Sequence, residues 1–285
     1  MRIGIIGDIH GNMPALSSVL AALRDCGASA ILNTGDTVGY SPFPDECVEL
    51  LGEAQAIEVQ GNYDEAVALK LPDCGCGPAG AGLARIREAS LRWTQARVSE
   101  RTRSHLRHLA VIRWLVFENR NLLLAHGQVG DHGAEGLDRE QSAWARRAGE
   151  TGADIVVLGH SHRPRVERLG RTTLVNPGSV GKPVDGDPRA ACAIVEITAT
   201  GIEAGILRVP YDIEANTRAL AAAGLRAEIA LLLRRGVSAL PPQPRPAVDG
   251  RRALRQPEDV MRLPANPLLT VKGDIVAAPG ETPRP

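Results

Sequence analysis

Gly7-Asp8-Ile9-His10-Gly11-Asn12 closes the first apolar run of the chain. Arg2 to Ile6 has the length and the Ile3, Ile5, Ile6 content of a short buried strand. The chain then turns polar and glycine-rich within one residue. Asp8 and His10, two apart in extended backbone, can both reach one cation, one through a hard oxygen and one through a borderline nitrogen. Alone, such a pair is ordinary turn chemistry; its weight comes from four later repetitions of the same grammar.

Apolar runs recur, and each ends in a ligand-type residue beside glycine. Ala30-Ile31-Leu32 leads to Asn33-Thr34-Gly35-Asp36, and Ala56 to Val59 leads to Gly61-Asn62-Tyr63-Asp64. Leu122 to Ala125 ends in His126-Gly127, and Ile155 to Leu158 ends in Gly159-His160-Ser161-His162. In α/β sheets the carboxyl ends of strands converge on one edge. Asp8, His10, Asp36, Asn62, His126, His160 and His162 are therefore placed in one cleft.

Between these ends the periodicity is helical after Asn12, a cap followed by Pro14, with Leu16, Val19, Leu20 and Leu23 on one face. Further helices are read around Val48 to Leu51, Leu83 to Leu109, Leu137 to Ala148, Ile213 to Ala223 and Arg226 to Arg235. Hairpins are read at Val111–Ala125 around the turn Glu118 to Asn121, and at Val166–Val175 around Gly170-Arg171. Ala190 to Ile197 and Ile202 to Val209 add a last strand pair. Strands first alternate with helices and later pair as hairpins, which implies a mixed α/β system.

The 285 residues can hold one large domain, and 44% hydrophobic with 23% charged residues suits a folded core. Lys+Arg 33 balance Asp+Glu 33, so no global field draws nucleic acid or an anionic membrane. No apolar run approaches membrane-spanning length, and the first strand is too short for a signal-peptide core. Cys26, Cys47, Cys74, Cys76 and Cys192 form no framework, so a cytoplasmic protein with reduced thiols is expected. Cys74-Gly75-Cys76 reads as a loop whose thiols do nothing special, against a minority reading in which it overhangs the cleft. Ten of the twenty prolines lie in residues 237–285, read as a disordered extension behind a domain of residues 1–236.

The series Gly-Asp-Ile-His-Gly-Asn, Gly-Asp-Thr-Val-Gly-Tyr, Gly-Asn-Tyr-Asp, His-Gly and Gly-His-Ser-His, in that order, resembles the calcineurin-like metallophosphoesterase superfamily. Asn176-Pro177-Gly178-Ser179-Val180-Gly181 is similar to the small bacterial and archaeal phosphodiesterase branch, to which the retromer subunit of this fold is related. The resemblance implies a four-layer α/β/β/α sandwich of two mixed sheets. It also implies two cations, one held by Asp8, His10 and His162 and one by Asn62, His126 and His160, with Asp36 bridging. Nitrogen and oxygen ligands together suit Mn, Fe, Zn or Ni better than Ca.

The family's usual third block is Gly-Asn-His-Asp, whose His serves the scissile phosphate and is oriented by the Asp. Here the pair is Tyr63 and Asp64, and a phenol with an ordinary pKa near ~10 is a poor proton shuttle at neutral pH. The expectation is slow turnover, a good leaving group, or a replacement acid, for which His132 is the nearby candidate. Asn12 and Tyr40 complete the substrate-facing candidates. The phosphate-clamping Arg of the family's phosphoprotein phosphatases is replaced by Val38-Gly39-Tyr40. That points to a small phosphodiester, with a phosphomonoesterase, a nucleotide-polyphosphate hydrolase or a catalytically weakened scaffold as alternatives.

Overall fold

The computed structural model describes residues 1–76, 80–127 and 152–239, all within one compact unit, Met1–Pro241. The helix read at Leu137 to Ala148, His132 and most of the Pro-rich extension lie outside the described residues. No helix among those described is long and apolar enough to cross a membrane.

Five strands form the first sheet: β1 (Arg2–Ile6), β2 (Ala30–Asn33), β3 (Ile57–Glu58), β9 (Ala190–Ile197) and β10 (Ile202–Val209), in the order β10-β9-β1-β2-β3. β1, β2 and β3 run parallel, and β9 and β10 are antiparallel additions. The second sheet holds β4 (Ile112–Phe117), β5 (Arg120–Ala125), β6 (Ile155–Val157), β7 (Arg165–Leu169) and β8 (Thr172–Asn176), in the order β4-β5-β6-β8-β7. Its centre, β5-β6-β8, is parallel. Both sheets are thus mixed.

The pleat sorts the side chains. Ile3, Ile5, Leu32 and Val195 of the first sheet meet Leu122, Leu124, Ile155 and Val157 of the second in one dry core. Ile6 and Cys192 on the other face pack against α1 (Met13–Asp25), through Leu16, Val19 and Leu23, and α2 (Pro44–Glu53), through Cys47 and Leu51. Asn12 caps α1, its Oδ1 accepting the Ala15 amide at 3.3 Å. Leu123, Ala125, Val156, Leu158 and Leu174 form a buried apolar set on the far face of the second sheet.

A separate helical cluster flanks the strand ends. It contains α3 (Asn62–Leu69), α4 (Ala81–Arg97), α5 (Glu100–His108), α6 (Ile213–Ala222) and α7 (Ala227–Arg235), closed around Tyr63, Leu106, Leu220 and Leu232. Two differences from the sequence reading appear here. The long helix of residues 83–109 is two, because Ser99 leaves the helical conformation and caps α5 by accepting the Thr102 amide at 3.1 Å. The β4–β5 turn is tighter than expected, with Phe117 paired to Arg120 and only Glu118 and Asn119 between, both at positive φ.

Candidate metal centre

β1, β2, β3, β5 and β6 all point their carboxyl ends toward one edge, so the loops behind them converge. Two groups of ligand-type atoms result: Asp8 with His10 and His162, and Asp36 with His126 and His160. Asp36 Oδ2 lies 3.8 Å from His10 Nε2 and 3.6 Å from His126 Nε2, between the two groups. Asn62 joins the second, its Oδ1 2.9 Å from His126 Nε2. All seven candidate ligands thus meet.

The backbone pays locally for this convergence. Asp8, His10, Asp36, His160 and His162 have φ between +50° and +66°, the left-handed region that side chains rarely adopt. The Asp8–His10 segment is therefore a tight turn rather than the extended pair expected from the sequence. Gly61 makes a related accommodation: a Cβ there would stand 2.2 Å from Asp36 Oδ1.

Hydrogen bonds fix what the side chains can offer. Nδ1 of His10, His126 and His162 lies 3.2, 2.8 and 2.7 Å from the carbonyls of Val38, Thr34 and Lys182. A carbonyl only accepts, so each Nδ1 carries the proton and each Nε2 of the neutral ring presents a lone pair. His10 Nε2 and His162 Nε2 are 3.2 Å apart, and the Asn62 amide nitrogen is committed to Cys74 O at 2.6 Å, which aims its oxygen at His126. Acceptors face acceptors. Asp8 Oδ1, also buried, has no hydrogen-bond partner. Burial and the neighbouring Asp36 hold the Asp8 carboxyl well above the carboxylate range. Burial and the Lys182 charge hold His10 and His162 well below the usual imidazole value, so a shared proton does not relieve the repulsion near neutral pH. A donor set of this kind fits cations.

The remaining candidates divide. Tyr40 lines the cleft, its ring 4.9 Å from that of His10. Tyr63 is fully buried; its phenol donates to Ser90 Oγ at 2.7 Å, and burial raises it well above its ordinary pKa. Asp64 does not orient it: its carboxylate accepts the amides of Thr37, Val38 and Gly61 at 2.9, 3.2 and 3.1 Å. Asn12 is spent on the fold, capping α1 and donating to Gly181 O and the Tyr211 hydroxyl. Cys74 and Cys76 are joined as a disulfide rather than left as two thiols, their Cα atoms 5.3 Å apart across Gly75 at φ +64°. Cys76 reaches the cleft wall.

Sequence reasoning missed Lys182 and Arg87, which line the same cleft, and Ser90, which holds the Tyr63 phenol. The Lys182 ammonium, buried and close to Arg87, is lowered to about 8. Its signal was present in the glycine-rich run after β8, where a lone Lys directly follows Gly181.

A family model described as the calcineurin-like phosphoesterase superfamily domain matches residues 1–200. An uncharacterized protein of Methanocaldococcus jannaschii is 28% identical over 233 residues, 74% of this chain and 88% of its own length. The phosphodiesterase YfcE of Escherichia coli is 25% identical over 199 residues, 66% of this chain and 84% of that protein. Among solved structures, a metallophosphoesterase from Sphaerobacter thermophilus aligns at TM-score 0.64 and 29% identity, covering 83% of this chain and 100% of its own. A protein from Pyrococcus horikoshii aligns at TM-score 0.69 and 21% identity, over 84% and 99%, a likeness of fold alone. With the α/β sandwich of two mixed sheets and the two ligand groups at its strand ends, the chain belongs to the calcineurin-like phosphoesterase superfamily.

Proposed function

We propose that the chain is a dinuclear metal-dependent phosphoesterase that hydrolyses a small organic phosphate, a phosphodiester before a monoester, with its activity in residues 1–236. The observation that carries this reading is Asp36, whose Oδ2 stands between a three-residue ligand group and a second one. Asp8, His10 and His162 would hold one ion of the Mn, Fe, Zn or Ni type; Asn62, His126 and His160 would hold the other, with Asp36 shared. When bound, two such ions polarise a phosphoryl oxygen and acidify a water for in-line attack.

The chain's own residues do the rest. Neutral His10 and His162 are ready to ligate without first losing a proton. Backbone carbonyls lock the ring orientations. The adjoining cleft, of about 310 Å³, takes a small molecule rather than a folded protein surface. The 25% identity to a phosphodiesterase supports the preference for a diester.

The test is metal content of the purified full chain, coupled to hydrolysis of an activated aryl phosphodiester and the matching monoester with and without added Mn²⁺. About two metals per chain with metal-dependent turnover is the expected result. No metal under any loading condition would overturn the ligand assignment. Metal without turnover on either ester would favour the scaffold alternative, which the buried Tyr63 phenol, donating to Ser90 Oγ, supports.

A further inference from the structure

Beside the two ligand groups the cleft holds a cation that makes no direct ion pair among the described residues. Lys182 follows β8 and is 8% exposed. Its Nζ lies 4.6 Å from the centroid of the Tyr40 ring. That ring is its one close partner: among the described residues Nζ makes no hydrogen bond and has no carboxylate within ion-pair distance. Asp8 and Asp36 are near enough to act on it electrostatically, yet both face the ligand groups. Arg87 lines the same wall, its Nη1 donating to Cys76 O at 3.2 Å.

Stripping an ammonium of water is costly unless an anion or several acceptors replace the water, and one aromatic face replaces little of it. The arrangement also costs Tyr40 a positive φ of +58° and requires Gly39 beneath the Tyr63 ring. Such expense beside a cleft calls for an occupant. The cations on the wall and the adjoining ligand groups favour an anion, and the cleft has room for a phosphoryl group with part of the molecule that carries it. Resting on the phosphoesterase reading above, we propose that Lys182, held over Tyr40, binds a phosphoryl oxygen of the substrate, with Arg87 reinforcing the field. Lys182 then contributes to binding the phosphate group itself, whatever alcohol the ester carries.

The test uses inorganic phosphate as the probe and the metal-loaded full chain. By calorimetry, Lys182→Met is expected to weaken phosphate binding at least about tenfold, while Lys182→Arg stays within about threefold of the parent and both keep the parent metal content. Unchanged affinity in a metal-replete Lys182→Met protein overturns the assignment. Should that variant fail to fold or to hold metal, the unmodified chain answers directly. It has only three lysines, Lys70, Lys182 and Lys272. Phosphate should slow acetic anhydride labelling of Lys182 severalfold while leaving exposed Lys70 unaffected, read by peptide mass spectrometry. Absence of protection overturns the proposal. A chain that takes up no metal and cleaves no ester would sink the phosphoesterase reading separately. Protection of Lys182 in that same chain would still uphold the anion site.

Discussion

The His10 and His162 rings stack at 4.9 Å between centroids, which brings their Nε2 atoms to 3.2 Å while each Nδ1 is held by a backbone carbonyl. Two neutral imidazoles so placed repel, and Asp36, which faces His10 and His126 at once, is the residue whose loss should release both halves of the site. Asp36→Asn keeps the shape and one acceptor oxygen but removes the shared charge. Metal content is expected to fall below that of the parent, and turnover by at least about a hundredfold, a loss already seen when only supporting residues of metal sites are removed. Undiminished turnover by metal-replete mutant protein would show that Asp36 is not shared.

Tyr63 stands where the family usually has a His, and its phenol is turned onto Ser90 Oγ, which also accepts the Tyr40 amide at 2.7 Å. Tyr63→Phe should therefore lower stability by about 1 kcal/mol, the worth of one buried hydrogen bond, and leave kcat within about twofold. A tenfold loss of kcat at full metal content would mean that the phenol acts on the substrate. Tyr63→His should gain rate on esters with poor leaving groups, measured against an activated ester as reference.

The parts of this fold legible in the sequence are those set by short-range rules. β9 and β10 were readable because apolar runs stop at turn residues, and α1 because Asn12 and Pro14 mark its start. The seven candidate ligands could be named because each follows an apolar run, and the fold brings them to one edge. What escaped depends on contacts between distant residues. Ser90 meets Tyr63 only because α4 packs on α3. Lys182 acquires meaning only when the loop after β8 closes over Tyr40, and Asn12 looked available until Gly181 and Tyr211 took its amide. α3 was missed altogether, since its first turn is the Asn62 block itself and its start is fixed by Asp64 folding back onto the Gly61 amide.

Asp64 ties three amides from two loops, those of Thr37, Val38 and Gly61. Asp64→Ala would leave these buried donors unmet and should cost about 3 kcal/mol or more in urea unfolding. Because the same amides shape the turns bearing Asp36 and Asn62, metal retention should fall with stability. A variant of parental stability would show that water replaces the carboxylate there.

The disulfide loop supports Asn62 through a carbonyl, at 2.6 Å from Cys74 O to Nδ2. Cys76→Ser opens the disulfide and leaves every candidate ligand in the chain, while exchanging the sulfur that accepts from Asn62 Nδ2 at 3.4 Å for a hydroxyl. About tenfold weaker retention of one of two metals is expected, the scale at which residues behind a ligand act. Equal retention of both after dialysis would make the loop irrelevant to the site.

His105 gives the fold a pH dependence separate from the metal ligands. Its Nε2 is 3.0 Å from Glu58 Oε1, and that hydrogen bond raises its pKa above the ordinary value. Glu58 Oε2 accepts from Asn33 at 3.0 Å, and Asn33 in turn holds Thr37 Oγ1 at 2.9 Å and the Gly35 amide at 3.1 Å. The pair thus braces the turn that carries Asp36. A folded-state pKa above the unfolded one means the folded chain binds the proton more tightly. The stabilisation is fully present below about pH 6.5 and is lost as pH rises through the raised folded value. The melting temperature of His105→Gln should therefore lie furthest below that of the parent near about pH 6 and approach it by about pH 9. The pair is partly solvent-exposed, so added salt should shrink the gap at the lower pH. A gap that widens with pH would reverse the sign and exclude a charged His105–Glu58 pair.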